Sequence, residues 1–327
     1  MHSLNDSSIL LTGGTGSFGR QFVRDLLAKH NPKRIVIYSR DELKQYEMAQ
    51  EISAPQLRYF IGDIRDRERL ERALHGIDTI VHAAAMKQVV AAEYNPIECI
   101  KTNIIGAENI INAAINCGIK RVIALSTDKA VNPINLYGAT KLCSDKLFIA
   151  GNHLAGREGP RFSVVRYGNV VGSRGSVVPL FQRLRTSGRL PITDKRMTRF
   201  WITLDRGAEF VAQCLGIMQG GEVFIPKIPS MRVVDLATAM APDCKLDIVG
   251  IRPGEKLHEC MIPHDEARLT REFDDFYVIM PSMPIGTMDE HLKYNGRAGK
   301  PVAEDFEYSS HTNDRWVDSA QVLDLIK

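Results

Sequence analysis

The sequence predicts an α/β protein built on a Rossmann-like, doubly wound parallel sheet, with a smaller C-terminal α/β lobe. Three observations support this prediction. Short β-rich runs alternate with helix-length segments through the first half of the 327 residues. A glycine-rich turn follows the first run, as it does in dinucleotide-binding sheets. Beyond about Gly172 the alternation becomes irregular, which indicates a second, smaller unit packed on the first.

The individual elements follow from local patterns. The first strand is predicted at Ser8–Thr12. Apolar residues between Phe22 and Leu27 then recur at helical spacing, which predicts a helix that ends near His30. The further predicted strands are Arg34–Ser39, Leu57–Ile61, Thr79–Ala83, Arg121–Ser126, Phe162–Tyr167 and, in the lobe, Glu222–Ile225. The spacing between these runs suits crossover helices on both faces of a parallel sheet.

Composition and charge exclude several classes of protein. Hydrophobic residues make up 44% and charged residues 25% of the chain, which excludes a disordered or low-complexity protein. The formal charge is only +3 and no basic stripe is present, so we expect no nucleic-acid partner. No apolar run approaches a membrane span, and the polar N-terminus lacks a signal peptide, so we expect a cytoplasmic protein without a membrane partner. The six cysteines form no CxxC pair, which predicts reduced, mostly core thiols and no metal site.

The glycine-rich turn predicts a dinucleotide site. Glycines in the string TGGTGSFG lie between the first strand and the first helix, where backbone N–H groups can approach a pyrophosphate at a helix N-terminus. A plain tight turn is the alternative. The candidate cofactor contacts here are Gly13, Thr15, Gly16, Ser17, Phe18 and Gly19.

The end of the second strand indicates which dinucleotide binds. Ser39 and Arg40 stand where an enzyme that uses NAD usually has an acidic residue, and Arg40 with Lys44 suits the 2′-phosphate of NADP. Asp41 keeps NAD open as an alternative. Further candidate cofactor contacts at the ends of later strands are Asp63, Ile64, Ala83 and Lys87, the last of which can also reach the substrate. We therefore predict an NADP-binding domain at 1–172, to which elements of the C-terminal half return, and a lobe with a C-terminal tail at 173–327.

The most informative segment joins Ser126-Thr127-Asp128-Lys129 to a YxxxK motif. Tyr137 and Lys141 are i, i+4 neighbours on one helix face, so Lys141 is expected to lower the pKa of Tyr137 and to hold a ribose. A tyrosine with a lowered pKa can take a hydroxyl proton while hydride leaves the same carbon. Asp128 and Lys129 add a second acid–base pair, for which a surface ion pair is the alternative reading.

At these motifs the chain resembles the extended short-chain dehydrogenase/reductases, and within them the nucleotide-sugar enzymes. Sugar 4,6-dehydratases similar to the dTDP-glucose enzyme carry Asp-Glu where this chain has Asp128-Lys129. The resemblance is closer to the C5-inverting UDP-N-acetylglucosamine 4,6-dehydratase family and runs through nearly the whole chain. It is carried by LTGGTGSFG, YSRDELKQ, GDIRD, AEYNPIECIKTN, LSTDKAVNPINLYGATK, VVRYGNVVGSRGSVVP, ITDKRMTRFWIT, IPKIPSM, GIRPGEKLHE and FEYSSH. Related retaining and capsule-type enzymes have Met in place of Tyr137, which favours the inverting group.

This resemblance implies a substrate, a cofactor and a set of site residues. The substrate is UDP-N-acetylglucosamine, NADP is tightly bound and recycled, and the enzyme is a homo-oligomer, with a hexamer suspected, at the first step of pseudaminic acid synthesis. Tyr137 takes the 4-hydroxyl proton, Lys129 removes H5, and Asp128 with Thr127 protonates the leaving 6-hydroxyl. Lys129 can do this only if its pKa falls toward neutrality, which we expect from partial burial. The implied sugar-nucleotide contacts are Asn169, Arg174, Gly175, Ser176, Val177, Val178, Arg199, Arg252 and Glu255.

Three other functions remain open at this point. A retaining UDP-sugar 4,6-dehydratase is the first alternative. A UDP-sugar 4-epimerase shares the first half of the chain but does not need the Asp128-Lys129 pair. A non-catalytic protein that senses NADP is a third alternative, because a fold does not determine a function.

Overall fold

The computed structural model describes residues 4–173, 176–285, 292–294, 296–317 and 321. The helices are α1 (Ser17–Lys29), α2 (Glu42–Glu51), α3 (Arg67–Ala73), α4 (Val89–Tyr94), α5 (Pro96–Ile100), α6 (Gly106–Asn116), α7 (Leu136–Ala155), α8 (Val177–Leu184), α9 (Leu204–Ile217), α10 (Val233–Met240) and α11 (His264–Ala267). The first strands are β1 (Ser8–Thr12), β2 (Arg34–Ser39), β3 (Leu57–Ile61), β4 (Thr79–His82), β5 (Arg121–Leu125), β6 (Arg161–Val165), β7 (Asn169–Val170), β8 (Arg189–Ile192), β9 (Thr198–Ile202) and β10 (Val223–Pro226). The later strands are β11 (Ser230–Arg232), β12 (Lys245–Ile248), β13 (Cys260–Ile262), β14 (Thr270–Glu272), β15 (Phe276–Ile279), β16 (Lys293–Tyr294), β17 (Arg297–Ala298), β18 (Lys300–Pro301) and β19 (Tyr308–Ser309).

The described residues form a ten-stranded main sheet in the spatial order β18-β14-β15-β10-β6-β5-β4-β1-β2-β3. Seven neighbouring strands of this sheet run parallel to one another: β10, β6, β5, β4, β1, β2 and β3. Strands β15, β14 and β18 add an antiparallel edge next to β10. The chain order reverses between β1 and β4, and ligands of such sheets bind in the crevice at this reversal. The predicted Rossmann-like, doubly wound sheet is therefore confirmed.

The parallel strands are apolar because helices cover both faces of the sheet. Every residue of β1 and β4 is buried, as expected for strands of a parallel sheet. Phe22, Val23 and Leu26 on α1 are also buried, which agrees with the helical face predicted there. Helix α9 packs beside α1, and β10 extends the parallel sheet, so parts of the chain beyond residue 172 complete the main sheet.

The smaller lobe has its own core. The sheet β11-β9-β7 and the parallel pair β12-β8 pack with α8 and α10. The buried side chains there include Phe181, Leu190, Ile192, Trp201 and Leu236. The lobe therefore packs as a unit with its own apolar centre, on the side of the sheet where the parallel strands end.

Some details differ from the expectations. The strands predicted to end at Ala83 and Ser126 end earlier, at His82 and Leu125, because the chain turns away from the sheet toward the cleft there. The prediction that most thiols lie in the core is wrong. Only Cys99 and Cys214 are buried, Cys143 is exposed, and the remaining three lie at intermediate depth. Among the described residues, no helix is long and apolar enough to cross a membrane, and no cluster of His, Cys, Asp and Glu can hold a metal ion.

We predict that the lobe core is sensitive to truncation of Trp201, whose exposed fraction is 2%. Trp201→Ala should lower the free energy of unfolding by about 3–5 kcal/mol, because it leaves a large cavity. The matched control is Trp316→Ala, since Trp316 is 44% exposed and its removal should cost about 1 kcal/mol or less. Urea unfolding of both variants measures the difference, and equal losses would contradict the placement of Trp201 in the core.

Candidate active site

A single large cleft lies between the carboxyl ends of the parallel strands and the lobe. Its volume is about 1420 Å³, larger than the roughly 300–1,000 Å³ of a pocket for one small ligand. Its lining comes from the chain segments that follow β1 through β6, together with residues of the lobe. The cleft is therefore large enough for two ligands side by side, one on the sheet and one on the lobe.

The glycine-rich turn forms the floor of the cleft. Gly13 has a φ of +66°, and a Cβ atom there would lie 2.9 Å from the backbone of Ala84. Only glycine meets both conditions, so the turn lies directly on the loop that follows β4. All six predicted cofactor contacts in this turn line the cleft. Gly14, which was not among them, does not. Helix α1 begins at Ser17 with its N-terminus toward this space, which suits an anionic group.

The end of β2 carries cations on the cleft wall. Arg40 and Lys44 line the cleft, and Arg40 is more than half exposed, with its guanidinium 3.5 Å from the Asp63 carboxylate. The Asp41 carboxylate accepts a hydrogen bond from Lys44 N at 3.0 Å and pairs with Lys44 Nζ at 2.6 Å. Asp41 is thus used as the N-cap of α2, which explains its presence without a ribose contact.

The predicted contacts at the ends of β3 and β4 also reach the cleft. Asp63, Ile64, Ala83 and Lys87 line it, and burial lowers the pKa of Lys87. Both oxygens of Asp63 accept hydrogen bonds from Arg65, at 2.7–2.9 Å, and these bonds lower the Asp63 pKa although burial opposes the shift. Asp63 is therefore held in place as an ionised carboxylate.

Helix α7 positions Tyr137 and Lys141. Asn135 caps the helix by accepting a hydrogen bond from Gly138 N at 2.7 Å, and its amide donates to Gly254 O at 2.8 Å. A Cβ atom on Gly138 would lie 2.1 Å from the carbonyl oxygen of Lys129. The start of α7 therefore lies directly against the turn that carries Asp128 and Lys129, and only glycine allows this approach.

The acid–base residues form one connected cluster. Tyr137 lies beside Thr127, whose hydroxyl favours a lower pKa of the phenol. The Thr127 hydroxyl donates to Asp128 Oδ1 at 3.0 Å, and Lys129 Nζ donates to the same oxygen at 2.9 Å. Thr127, Lys129 and Tyr137 line the cleft, whereas Asp128 is fully buried behind them and reaches it through its neighbours. Within the described residues, Asp128 Oδ2 has no hydrogen-bond partner.

The electrostatics of this cluster differ from two expectations. Burial raises the pKa of Tyr137 to about 12, and the groups that oppose this are Lys129 and the Thr127 hydroxyl, rather than Lys141. The pKa of Lys129 does not fall: burial alone would lower it, but the Asp128 and Glu259 carboxylates raise it. Lys129 is therefore a cation in the cluster, and its charge helps Tyr137 to ionise.

Lys141 lies in the cleft wall over a second buried carboxylate. Burial lowers the pKa of Lys141, and Asp145 one turn along α7 opposes that shift. The Asp145 carboxylate accepts a hydrogen bond from Ser126 Oγ at 2.6 Å. Ser126, which precedes Thr127, thus joins the YxxxK helix to the end of β5.

The predicted sugar-nucleotide residues other than Arg199 divide into three groups. Asn169, Ser176, Val177, Arg252 and Glu255 line the cleft. Within the described residues, the buried Asn169 Oδ1 and Ser176 Oγ atoms have no hydrogen-bond partner, which leaves them available to a ligand. Val178 lies instead in the lobe core, because α8 turns that side chain inward. Arg174 and Gly175 lie outside the described residues.

Arg199 lines the cleft but is engaged within the protein. Its guanidinium donates to the carbonyl oxygens of Thr198, Leu257 and Lys256 at 2.7–3.2 Å. Its Nε lies 3.7 Å from Glu259 Oε1. Arg199 therefore joins β9 to the segment before β13, and its contact with a sugar nucleotide stays a prediction.

The sequence analysis missed Glu259. This residue lines the cleft with an exposed fraction of 2%, and its carboxylate lies 3.6 Å from Lys129 Nζ. Glu259 is more than a hundred residues from Lys129, so local spacing could not relate the two. The available signal was the acidic end of the string GIRPGEKLHE.

Comparison with known proteins agrees with this geometry. Residues 9–281 match the family model described as polysaccharide biosynthesis protein. The chain belongs to this family. Within the family's match lie the glycine-rich turn, the Asp128-Lys129 pair, the YxxxK helix and Glu259.

Three similar proteins illustrate the range of this polysaccharide biosynthesis family and its structural neighbours. UDP-N-acetylglucosamine 4,6-dehydratase (inverting) from Campylobacter jejuni subsp. jejuni serotype O:2 is 56% identical over 98% of both chains. UDP-glucose 4-epimerase from Rickettsia canadensis is 36% identical over 98% of this chain and 95% of its own. The structure of DesIV, a dTDP-glucose 4,6-dehydratase from Streptomyces venezuelae with NAD and TYD bound, is 25% identical, with a TM-score of 0.70 over 76% of this chain and 86% of that one.

We predict that Gly138→Ala forces α7 away from the turn that carries Asp128 and Lys129. The added methyl group meets backbone at 2.1 Å, so the free energy of unfolding should fall by about 2 kcal/mol or more. Gly151→Ala in the same helix is the control, because its methyl group meets only side chains, at 3.2 Å or more. Alanine also has a higher helix propensity than glycine, by about 1 kcal/mol. Urea unfolding compares the two, and equal stability would refute the close approach.

Proposed function

We propose that the protein is a UDP-N-acetylglucosamine 4,6-dehydratase that inverts C5 and keeps NADP bound through the cycle. The observation that carries this proposal is the Tyr137–Thr127–Asp128–Lys129 cluster in the cleft wall. A dehydratase needs one group to assist oxidation at C4 and two more to eliminate water across C5 and C6. The C. jejuni relative of that name, 56% identical, supports the same assignment.

The glycine turn, the start of α1 and the Arg40–Lys44 wall fit a dinucleotide with a 2′-phosphate. NADP supplies, when bound, the acceptor for the C4 hydride and the donor of the hydride returned to C6. Lys141 holds the nicotinamide ribose, and Tyr137 takes the proton of the 4-hydroxyl. Because burial raises the pKa of Tyr137 to about 12, this step depends on the positive charge of Lys129 beside it.

Elimination uses the other end of the cluster. The 4-ketone makes H5 acidic, and Lys129 Nζ removes it in the neutral amine form. The C6–O bond breaks as the C5–C6 double bond forms, and the protonated form of Asp128 supplies the proton on the departing water. Since Asp128 is fully buried, its proton reaches the cleft through the Thr127 hydroxyl, whose oxygen lies 3.0 Å from Asp128 Oδ1. In this relay the hydroxyl turns, so that protonated Asp128 donates to Thr127 Oγ1 and Thr127 donates its own proton to the departing oxygen. Return of the hydride to C6 and addition of a solvent proton to the opposite face of C5 then give the 6-deoxy-4-keto sugar of the L-arabino series.

The lobe side of the cleft suits the UDP group. Arg252 and Glu255 are held near the start of α7 through the Asn135–Gly254 hydrogen bond, and Asn169 and Ser176 offer unpartnered polar atoms among the described residues. Recognition of the N-acetyl group, a hexameric homo-oligomer, a cytoplasmic location and the first step of pseudaminic acid synthesis belong to this proposal through the resemblance stated above.

A UDP-sugar 4-epimerase is the second candidate, because the Rickettsia relative of that activity is 36% identical. An epimerase needs Tyr137 and Lys141 but has no use for the buried Asp128 and the Lys129 cation.

Mass spectrometry separates the two functions. The purified protein, given UDP-N-acetylglucosamine and no added cofactor, should form a product lighter by one water. A product of unchanged mass would support the epimerase and refute the dehydratase.

We predict that Tyr137 and Lys129 act at different steps. Tyr137→Phe should abolish C4 oxidation, whereas Lys129→Met should slow dehydration by about 10²- to 10⁴-fold while some C4 oxidation persists. Reduced nicotinamide absorbance after substrate addition should therefore accumulate only in Lys129→Met. Lys146→Met, on the exposed face of α7, is the control and should behave like the wild type. Full dehydration by Lys129→Met would contradict the assignment.

We predict that Arg40 selects NADP. Arg40→Ser should weaken NADP binding by about 10- to 100-fold, because a charge-assisted contact with the 2′-phosphate is worth roughly 1.5–3 kcal/mol. NAD has no such phosphate, so its affinity in the same variant is the internal control and should change little. Titration of cofactor-depleted protein with each dinucleotide measures the ratio. A wild type that prefers NAD would overturn the cofactor assignment.

A further inference from the structure

Glu259 is a buried acid that the proposed mechanism has not yet used. Its carboxylate lies 3.6 Å from Lys129 Nζ and 3.7 Å from Arg199 Nε on one oxygen, and 3.9 Å from Lys256 Nζ on the other. Of these cations, Lys129 faces the cleft beside Tyr137. Within the described part of the chain, Glu259 Oε2 has no hydrogen-bond partner. Three nearby cations therefore hold the Glu259 carboxylate in place, while its Oε2 atom accepts no hydrogen bond from the described residues.

Segments that are far apart in the sequence meet at the backbone of Glu259. Strand β13, which begins at Cys260, pairs with β19. Ser310 Oγ accepts a hydrogen bond from Glu259 N at 2.9 Å, and Ser310 N donates to Glu259 O at 2.7 Å. Ser310 Oγ is also bonded to Thr198 Oγ1 at 2.7 Å, next to Arg199. The strings MTRF, LHE and YSSH thus meet at Glu259: YSSH holds its backbone, and Arg199 of MTRF lies beside its carboxylate.

Glu259 is placed to exchange a proton with Lys129. Desolvation of a carboxylate is costly and favours its protonated form. Burial accordingly raises the pKa of Glu259, although Lys129, Arg199 and Lys256 oppose the shift and Asp128 adds to it. These charged groups come from the Asp128–Lys129 turn, from β9 and from the segment before β13. The Ser309 and Ser310 hydroxyls bond to the backbone of Glu259 and add no charge.

The two halves of the proposed reaction need opposite states of Lys129. C4 oxidation is helped by the ammonium form, whose charge lowers the pKa of Tyr137. Removal of H5 needs the neutral amine. When H5 is removed, Asp128 has to carry the proton that the leaving group receives, so it cannot hold the proton of Lys129 at the same stage. Glu259 is the other carboxylate beside Lys129 Nζ.

We propose that Glu259 is the positioning residue that takes the proton of Lys129 between the two half-reactions, an inference that rests on the proposed function. An Nζ–H bond of Lys129 breaks, an O–H bond forms on Glu259, and the ion pair becomes an amine and a carboxylic acid. The amine electron pair is then free to remove H5. The proton added to Nζ from C5 restores the ammonium ion. Glu259 then gives its own proton back to the cluster, where Asp128 has lost one to the departing water.

Glu259→Gln tests this step, because the amide keeps the shape but cannot accept the proton. C4 oxidation, followed by reduced nicotinamide absorbance, should remain within about tenfold of the wild type. Exchange of H5 in D2O should fall at least about tenfold at pH 7 and should recover by about tenfold per pH unit between roughly pH 7 and 9, because solvent then removes the proton. Glu272→Gln, which breaks an ion pair with Lys227 outside the cleft, is the matched control and should match the wild type.

Glu259→Asp provides a second variant that keeps a proton acceptor. Its H5 exchange should be slower than in the wild type, with the pH dependence of the wild type. A Glu259→Gln defect that is constant across pH, or exchange at the wild-type rate in either variant, would overturn the inference alone. A wild-type protein that forms no 6-deoxy-4-keto sugar would overturn the proposed function and this inference with it. If Glu259→Gln does not fold, the rate and pH dependence of Glu259→Asp decide the question.

Discussion

The close approach of α7 to the Asp128–Lys129 turn is the constraint on which the rest of the site depends. Gly138 leaves no room for a methyl group against the Lys129 carbonyl oxygen. This contact brings Tyr137, at the first turn of the helix, to the same side of the cleft as Thr127 and Lys129. Asn135 then joins the cap of the helix to Gly254, next to Arg252 and Glu255 on the lobe side of the cleft. One helix terminus therefore positions both the Tyr137–Lys129 cluster and the lobe residues that we propose bind the nucleotide.

Burial gives this cluster its chemical character. A tyrosine, a lysine and two carboxylates lie in a region where desolvation opposes charge, so each group's proton depends on its neighbours. Lys129 stays protonated because Asp128 and Glu259 face it, and its charge in turn favours ionisation of Tyr137. In the proposed mechanism, a lysine that acts as the base requires a nearby group to take its proton. The Glu259 carboxylate, 3.6 Å from Lys129 Nζ, is placed to do so.

The sequence predicts the main sheet well, because apolar runs and the glycine turn are local signals with local causes. It also identifies Tyr137, Lys141, Asp128 and Lys129 as a group, since they lie within fifteen residues of one another. Local patterns cannot show that Val178 turns into the lobe core or that Arg199 is used by backbone carbonyls. Glu259 escapes for a similar reason, because β19 and β9 bring it to Lys129 from far along the chain.

Proton NMR of the reaction in D2O, without added cofactor, tests the central claim most directly. The claim is that one buried cluster carries out C4 oxidation, elimination and protonation of C5 on the opposite face. The account predicts a 6-deoxy-4-keto sugar nucleotide as the first product, with deuterium at C5 and the coupling pattern of the L-arabino configuration. A first product of the D-xylo configuration would contradict the inversion, and a sugar that keeps its 6-hydroxyl group would contradict the dehydratase.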